Sequence, residues 1–236
     1  MSLAKLPFIL ADAIGMRITA TPPNPPSPPK EHIIPDWRER FLKSLAMPAR
    51  MLRTLYWSAA LIEISIILAN QNPYGPISRH ILPLFVLKRG TISLIRPTPL
   101  FIFGNLLTFY GTVLRIQCYR TLGILFSFEL CIRVNHKLVT HGPYSYVRHP
   151  SYTAMIMTIV GAFISNLQGS WVRECGVLDT WIGRGLLLFW LLVAAAVILS
   201  LILRIPAEDS ILKRQFGDEW IQWAEKVPYR LIPHIY

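Results

Sequence analysis

The chain has 236 residues, of which 53% are hydrophobic and only 16% charged, with a mean hydropathy of +0.41. A soluble domain carries about 25% charged residues, so this composition excludes an ordinary soluble fold and places the chain among integral membrane proteins. The net charge of +11 comes without any nucleic-acid motif. Basic residues flanking apolar runs mark membrane-side loops and contact anionic headgroups, so membrane lipids are the expected partner and nucleic acid is not.

The first apolar stretch, Leu3–Ile18, is a candidate span that contains Pro7 and Asp12. It lacks the uncharged core and small-residue cleavage site of a secretory signal, so we read it as retained. "TPPNPPSPPK", Thr21–Lys30, cannot be helical and reads as an extended connector. "HIIPDWRERFLKSLAMPARML" mixes Trp37, Phe41, Leu42 and Leu45 with basic residues, the pattern of an interfacial amphipathic helix leading into a span.

Spans are expected at Thr54–Ala69, Pro99–Ile116, Tyr152–Ser165 and Gly185–Leu203. The last is nineteen residues without a charge, long enough as a helix for about 30 Å of hydrocarbon. With Leu3–Ile18 the count is about five transmembrane helices, in an all-α integral membrane protein. Glu63 within its span should face the bundle interior or a partner. Between spans, Gln71–Thr98 is broken by Pro73, Pro76, Pro83 and Pro97, and its "ILPLFVL" is apolar enough to dip into the bilayer. The expected organisation is an N-terminal segment (1–53), transmembrane helices (54–116) and a C-terminal core (117–236).

Residues 117–150 form a long polar connection, and such connections are often functional. With this segment cytoplasmic, Arg120, Arg133, Lys137 and Arg148 lie inside and Arg173 and Arg184 outside, in keeping with the positive-inside rule. Arg79, Lys88, Arg89 and Arg96 of Gln71–Thr98 then fall on the other face, so that segment either re-enters the membrane or shifts the count by one. After Leu203, Pro206 suits the first turn of a new helix, with Glu208 and Asp209 at its positive end. Leu212, Phe216, Trp220 and Trp223 give that helix an apolar face, and Pro228 and Pro233 close it. The cysteines Cys118, Cys131 and Cys175 are far apart and odd in number, which predicts neither a metal site nor a disulfide framework.

"HGPYSYVRHPSY", residues 141–152, crowds polar chemistry against an uncharged helix. One reading is interface anchoring, with tyrosines among headgroups and Arg148 on phosphate. The other is an anion-binding corner, formed where a helix starting at Pro150 points its free N–H groups toward Arg148 and His149, flanked by the rings of Tyr144 and Tyr152. Arg204 and Glu208, four apart at the end of the last span, make either a surface ion pair or a pair of ligand contacts, Glu208 for a cation and Arg204 for an anion. Periodicity leaves both questions open.

"HKLVTHGPYSYVRHPSY" at 136–152, followed by "RIPAEDSILKRQFGDEWIQWAEKVP" after a hydrophobic hairpin, resembles the isoprenylcysteine carboxyl methyltransferase family. The resemblance covers roughly residues 115–236. It implies a membrane enzyme that uses S-adenosylmethionine to methylate the C-terminal carboxylate of prenylated cysteine, in proteins or in small prenylcysteine substrates. It implies a cofactor pocket at the cytoplasmic face of the endoplasmic reticulum membrane, built from the 117–150 segment and the C-terminal helix. His136, Lys137, Leu138 and Val139 would line the cofactor, with Tyr144, His149, Pro150, Ser151 and Tyr152 completing the pocket. Glu208 would contact its amino group, Glu129 would contribute nearby, and Arg204 would hold the substrate carboxylate. No metal is implied. The sequence departs from the family at Ala154, where a glycine is common, and at Asp209, where a second glutamate is common.

A carboxylate is already ionised at neutral pH, so such a reaction needs alignment and removal of water rather than a general base. Three other readings compete. A related methyltransferase acting on a phospholipid amine would find Arg204 an obstacle. A sterol-reductase-like NADPH enzyme would share the "EKVPYRLIPHIY" ending. A membrane scaffold would leave the pairing of the two motifs unexplained.

Overall fold

The structure is a computed structural model that describes residues 3–25, 37–87, 90–131 and 136–236. The connector beyond residue 25, together with Lys88, Arg89 and Arg133, lies outside the described residues. The described chain is helical: α1 (Lys5–Thr19), α2 (Trp37–Ser44), α3 (Ala46–Ala69), α4 (Ser78–Phe85), α5 (Pro99–Leu122), α6 (Pro150–Ser165), α7 (Trp171–Glu174), α8 (Trp181–Phe216) and α9 (Asp218–Lys226). Among the described residues, three helices are long and apolar enough to cross a membrane, α3, α5 with the turn that follows it, and α8. The protein is therefore an integral membrane protein. The expected count of five is not reached on length and composition: α6 is apolar but has 16 residues, and α1 has 15, about 22 Å of helix.

The chain divides into two compact units, each drawn from three segments. The first comprises Met1–Arg17, Pro48–Phe109 and Met157–Ala194; the second comprises Ile18–Met47, Tyr110–Ile156 and Ala195–Tyr236.

In the first unit, Ile9 and Ala13 of α1 pack with Ala60, Ile66 and Ile67 of α3 and Phe101 of α5. Glu63 of α3 is buried, as expected for an acid in an apolar helix. It pairs with Lys5 and accepts the Trp171 N–H at 2.8 Å, while Lys5 also donates to Gly169 O at 2.6 Å. The α5 and α6 backbones approach directly: a Cβ on Gly104 would sit 2.4 Å from Ser165 N, and one on Gly161 would sit 2.6 Å from Thr108 N. Small residues four apart on both helices permit this contact, the means by which helices associate without a hydrophobic drive in lipid. Among its described residues, the Gln71–Thr98 stretch holds the short α4, with Pro83 inside it, and a 3-10 turn at Ile92–Leu94. It then turns against α7, with Leu87 N–H donating to Cys175 O at 3.1 Å and Thr91 N–H to Glu174 O at 2.8 Å.

In the second unit, Cys118, Tyr144, Trp220, Trp223 and Val227 form the core, with Leu138, Val139, Leu212 and Phe216 against it. The predicted apolar face thus packs into the unit, but on two helices rather than one. Gly217, at φ 53°, ends α8 and turns the chain into α9. Pro206 does not start a helix either; it lies within α8. An internal proline costs about 3 kcal/mol, offset here by neighbours that are fixed: Ile205 is fully buried, and Arg204 is held by Glu39 and the Phe128 carbonyl. The interfacial helix is also divided, α2 ending at Ser44 and α3 starting at Ala46.

Candidate functional site

Every residue of the cluster described next belongs to the second unit. Pro150 opens α6, as the sequence predicts. Immediately before it, the Arg148 and His149 N–H groups donate to Tyr229 O and Arg230 O at 2.9 and 2.8 Å. Thr153 Oγ1 donates to Leu231 O at 2.7 Å, so the C-terminal segment closes over the motif. Those two N–H groups precede the helix; in its first turn the Tyr152 and Thr153 N–H groups donate to His149 O at 3.0 and 3.3 Å. The anion there is internal: Asp209 Oδ2 lies 3.2 Å from Arg148 Nη1 and 3.7 Å from Arg230 Nε, and Asp209 Oδ1 lies 3.0 Å from His149 Nε2. Burial pulls the Arg148 guanidinium below its usual range, a shift that the Asp209 charge opposes.

One residue away, Glu208 Oε2 accepts the Tyr152 hydroxyl at 2.5 Å and stands 3.8 Å from His149 Nδ1. The His149 and Tyr152 rings stack 5.4 Å apart at 16°. Glu208 keeps 29% of its side chain exposed, and its Oε1 has no donor among the described residues. Ser151 is fixed by Arg115, which donates from Nη1 to the Ser151 carbonyl at 2.9 Å and to its hydroxyl. The Arg115 guanidinium lies over the Tyr119, Phe126 and Phe128 rings.

Arg204 sits one turn before Glu208 on α8, yet the two do not pair. Arg204 Nη1 donates to Phe128 O at 2.6 Å and lies 3.4 Å from Glu39 Oε2. Its Nε is buried with no hydrogen-bond acceptor among the described residues. The surface-pair reading of Arg204 and Glu208 therefore fails.

The structure thus brings His149, Pro150, Ser151, Tyr152, Glu208 and Asp209 together, with Arg204 beside them on α8. Tyr144 is buried in the adjoining core, where its carbonyl accepts the Trp223 indole N–H at 3.2 Å. Burial, with the Cys118 and Glu208 charges behind it, pushes its hydroxyl well above the usual tyrosine range. Leu138 and Val139 line the same core. The His136 ring meets Phe216 at 5.7 Å, and Lys137 is exposed. Glu129 points its carboxylate to Lys43, 3.5 Å away. Among the described residues no group of three or more His, Cys, Asp or Glu is placed to hold a metal ion.

Sequence reasoning missed Glu39, Arg115 and the anchoring role of Asp209. Glu39 had one visible mark, as the single acid of the otherwise basic helix α2.

Residues 104–172 match the model of the isoprenylcysteine carboxyl methyltransferase (ICMT) family. The resemblance read from the motif is borne out. The match includes the whole 136–152 stretch and stops before Arg204 and Glu208. The chain is 31% identical over 130 residues to protein-S-isoprenylcysteine O-methyltransferase B of Arabidopsis thaliana, covering 53% of this chain and 56% of that protein. It is 30% identical over 131 residues to the A form from the same plant, covering 53% and 55%. It is also 30% identical over 126 residues to a probable protein-S-isoprenylcysteine O-methyltransferase of Oryza sativa subsp. indica, covering 52% and 56%. The chain spans about half the length of the curated relatives it matches.

Proposed function

We propose that this protein methylates the C-terminal carboxylate of prenylated cysteine, with S-adenosylmethionine as the methyl donor. On this reading the catalytic core is residues 117–236, placed at the cytoplasmic face of the endoplasmic reticulum membrane. The observation that carries it is the Tyr152–Glu208 and His149–Asp209 contact, which joins the family motif to the acids of α8 in one cluster.

The residues present fit such a donor. The open Oε1 of a partly exposed carboxylate suits an ammonium group, and the stacked His149 and Tyr152 rings beside it give a flat wall. Bound there, the donor would supply an electrophilic methyl to the carboxylate oxygen, with its thioether as the leaving group and no proton to be transferred. The protein's own residues bind and orient. Glu208, held by Tyr152, is the cation contact. Asp209 does not face the ligand; it clamps Arg148 and His149 and so holds the motif against α8. Arg204, with its unmatched Nε, receives the acceptor carboxylate. Its low exposure, 6% of the side chain, excludes water from that carboxylate and favours direct attack. A guanidinium at this position opposes a cationic phospholipid amine, which separates this reading from the related lipid methyltransferases.

The test is transfer of labelled methyl from S-adenosylmethionine to a farnesylated cysteine analogue by the full chain in detergent. Transfer is expected to the free acid and to be absent with a blocked carboxylate or without the prenyl group. Methylation of the blocked analogue, or of a phospholipid amine in its place, overturns the assignment.

A further inference from the structure

Arg204 already holds a carboxylate. Glu39 of α2 lies 3.4 Å from its Nη1, with the two side chains only 6% and 4% exposed. The Leu130 N–H donates to Glu39 Oε1 at 3.4 Å, and the Phe128 carbonyl takes Nη1 of Arg204. Together α2 and the 127–131 segment therefore seal the guanidinium. The closure is fastened on its outer side by Lys43 and Glu129, 3.5 Å apart with side chains 42% and 29% exposed, a pair of the kind that contributes little. On α2 the faces divide cleanly: Glu39 is buried, whereas Trp37 and Phe41, four apart, are 58% and 40% exposed. Yet Arg204 is not saturated among the described residues, where its Nε has no acceptor.

We propose that Glu39 is a specificity-determining residue, an internal carboxylate that competes with the acceptor carboxylate for Arg204. This rests on reading Arg204 as the acceptor anchor. A carboxylate that merely replaces Glu39 exchanges one ion pair for an equivalent one and gains nothing from Arg204. An acceptor whose apolar tail adds its own burial gains enough to displace it. Glu39 thus screens small carboxylates and other acids that bring no apolar tail from a site that must stay open to a lipid-borne acid. The device works by raising the cost of the wrong partner rather than by adding contacts to the right one.

The full-length protein in detergent tests this through dissociation constants for a farnesylcysteine acid and for its methyl ester. Glu39→Gln is expected to tighten the acid by about tenfold while leaving the ester within about twofold. In the same variant, N-acetylcysteine, a carboxylate without the prenyl tail, becomes an inhibitor of acid binding, which it is not for the unaltered protein. Equal shifts for acid and ester, or a weakened acid, overturn the proposal. Should Glu39→Gln not fold, Glu39→Asp serves, since its shorter reach loosens the pair; its acid-to-ester ratio should move in the same direction, and an unchanged ratio is fatal. Arg204→Ala separates the two layers. Loss of the acid-to-ester difference with Arg204→Ala keeps the anchor reading and leaves Glu39 alone to be judged, whereas a persistent difference removes the anchor and the proposal with it.

Discussion

Each unit buries charge, and the two do it differently. In the first, Lys5 and Glu63 satisfy each other and their surroundings: Lys5 also reaches Gly169 O, and Glu63 also accepts the Trp171 N–H. In the second, among the described residues, the charges around α6 and α8 leave capacity over, at Glu208 Oε1 and at the buried Arg204 Nε, Arg148 Nε and Asp209 Oδ2. A buried donor without a partner costs about 1–3 kcal/mol. A closed cluster holds helices in place, whereas an open one keeps atoms available to a ligand. Burial alone does not separate structure from function here.

This contrast breaks most readily in the first unit. Glu63→Gln leaves Lys5 without its counter-charge and is expected to destabilise the protein by about 3–5 kcal/mol, seen as a lower melting temperature in detergent. Replacing the pair together, Lys5→Met with Glu63→Leu, should recover most of that loss, because well-packed apolar groups substitute for a buried ion pair. The recovered protein should still bind the methyl donor. A melting temperature unmoved by Glu63→Gln would mean that the first cluster is not structural.

A smaller effect sharpens the second unit. Asp209→Asn removes the charge that compensates Arg148 and Arg230, at an expected cost of about 2 kcal/mol. Because Asp209 positions His149 rather than touching ligand, donor affinity should fall several-fold while the acid-to-ester preference, set at Arg204, stays as it was. Isothermal titration with S-adenosylmethionine and with the two acceptor analogues checks both. A changed preference would place Asp209 at the acceptor end instead.

The spans were legible because hydropathy runs and helix geometry report the same physics. Thr54–Ala69 and Gly185–Leu203 each fall inside an observed helix, α3 and α8. Boundaries were less legible, since Pro206 carries a local signal to start a helix, and only the tertiary hold on Arg204 and Ile205 overrides it. The motif at 148–152 and the acids at 208–209 were visible as chemistry, but their partners were not. Asp209 read as a departure from a family pattern, though it holds Arg148, His149 and Arg230. Glu39 lies on another helix far along the chain, so no periodicity links it to Arg204. Its one sign was an acid in a basic helix. The α5–α6 contact was readable in principle, from Gly104 and Thr108 facing Gly161 and Ser165 at four-residue spacing.

The central claim is that Arg204 and Glu208, one turn apart on α8, serve the acceptor and the donor of a single site. The most direct measurement is the dissociation constant for S-adenosylmethionine and for the farnesylcysteine acid in Arg204→Ala and in Glu208→Gln. The account predicts a split: Arg204→Ala weakens the acid by at least about tenfold and spares the donor, and Glu208→Gln does the reverse. Equal losses of both ligands in both variants would contradict it.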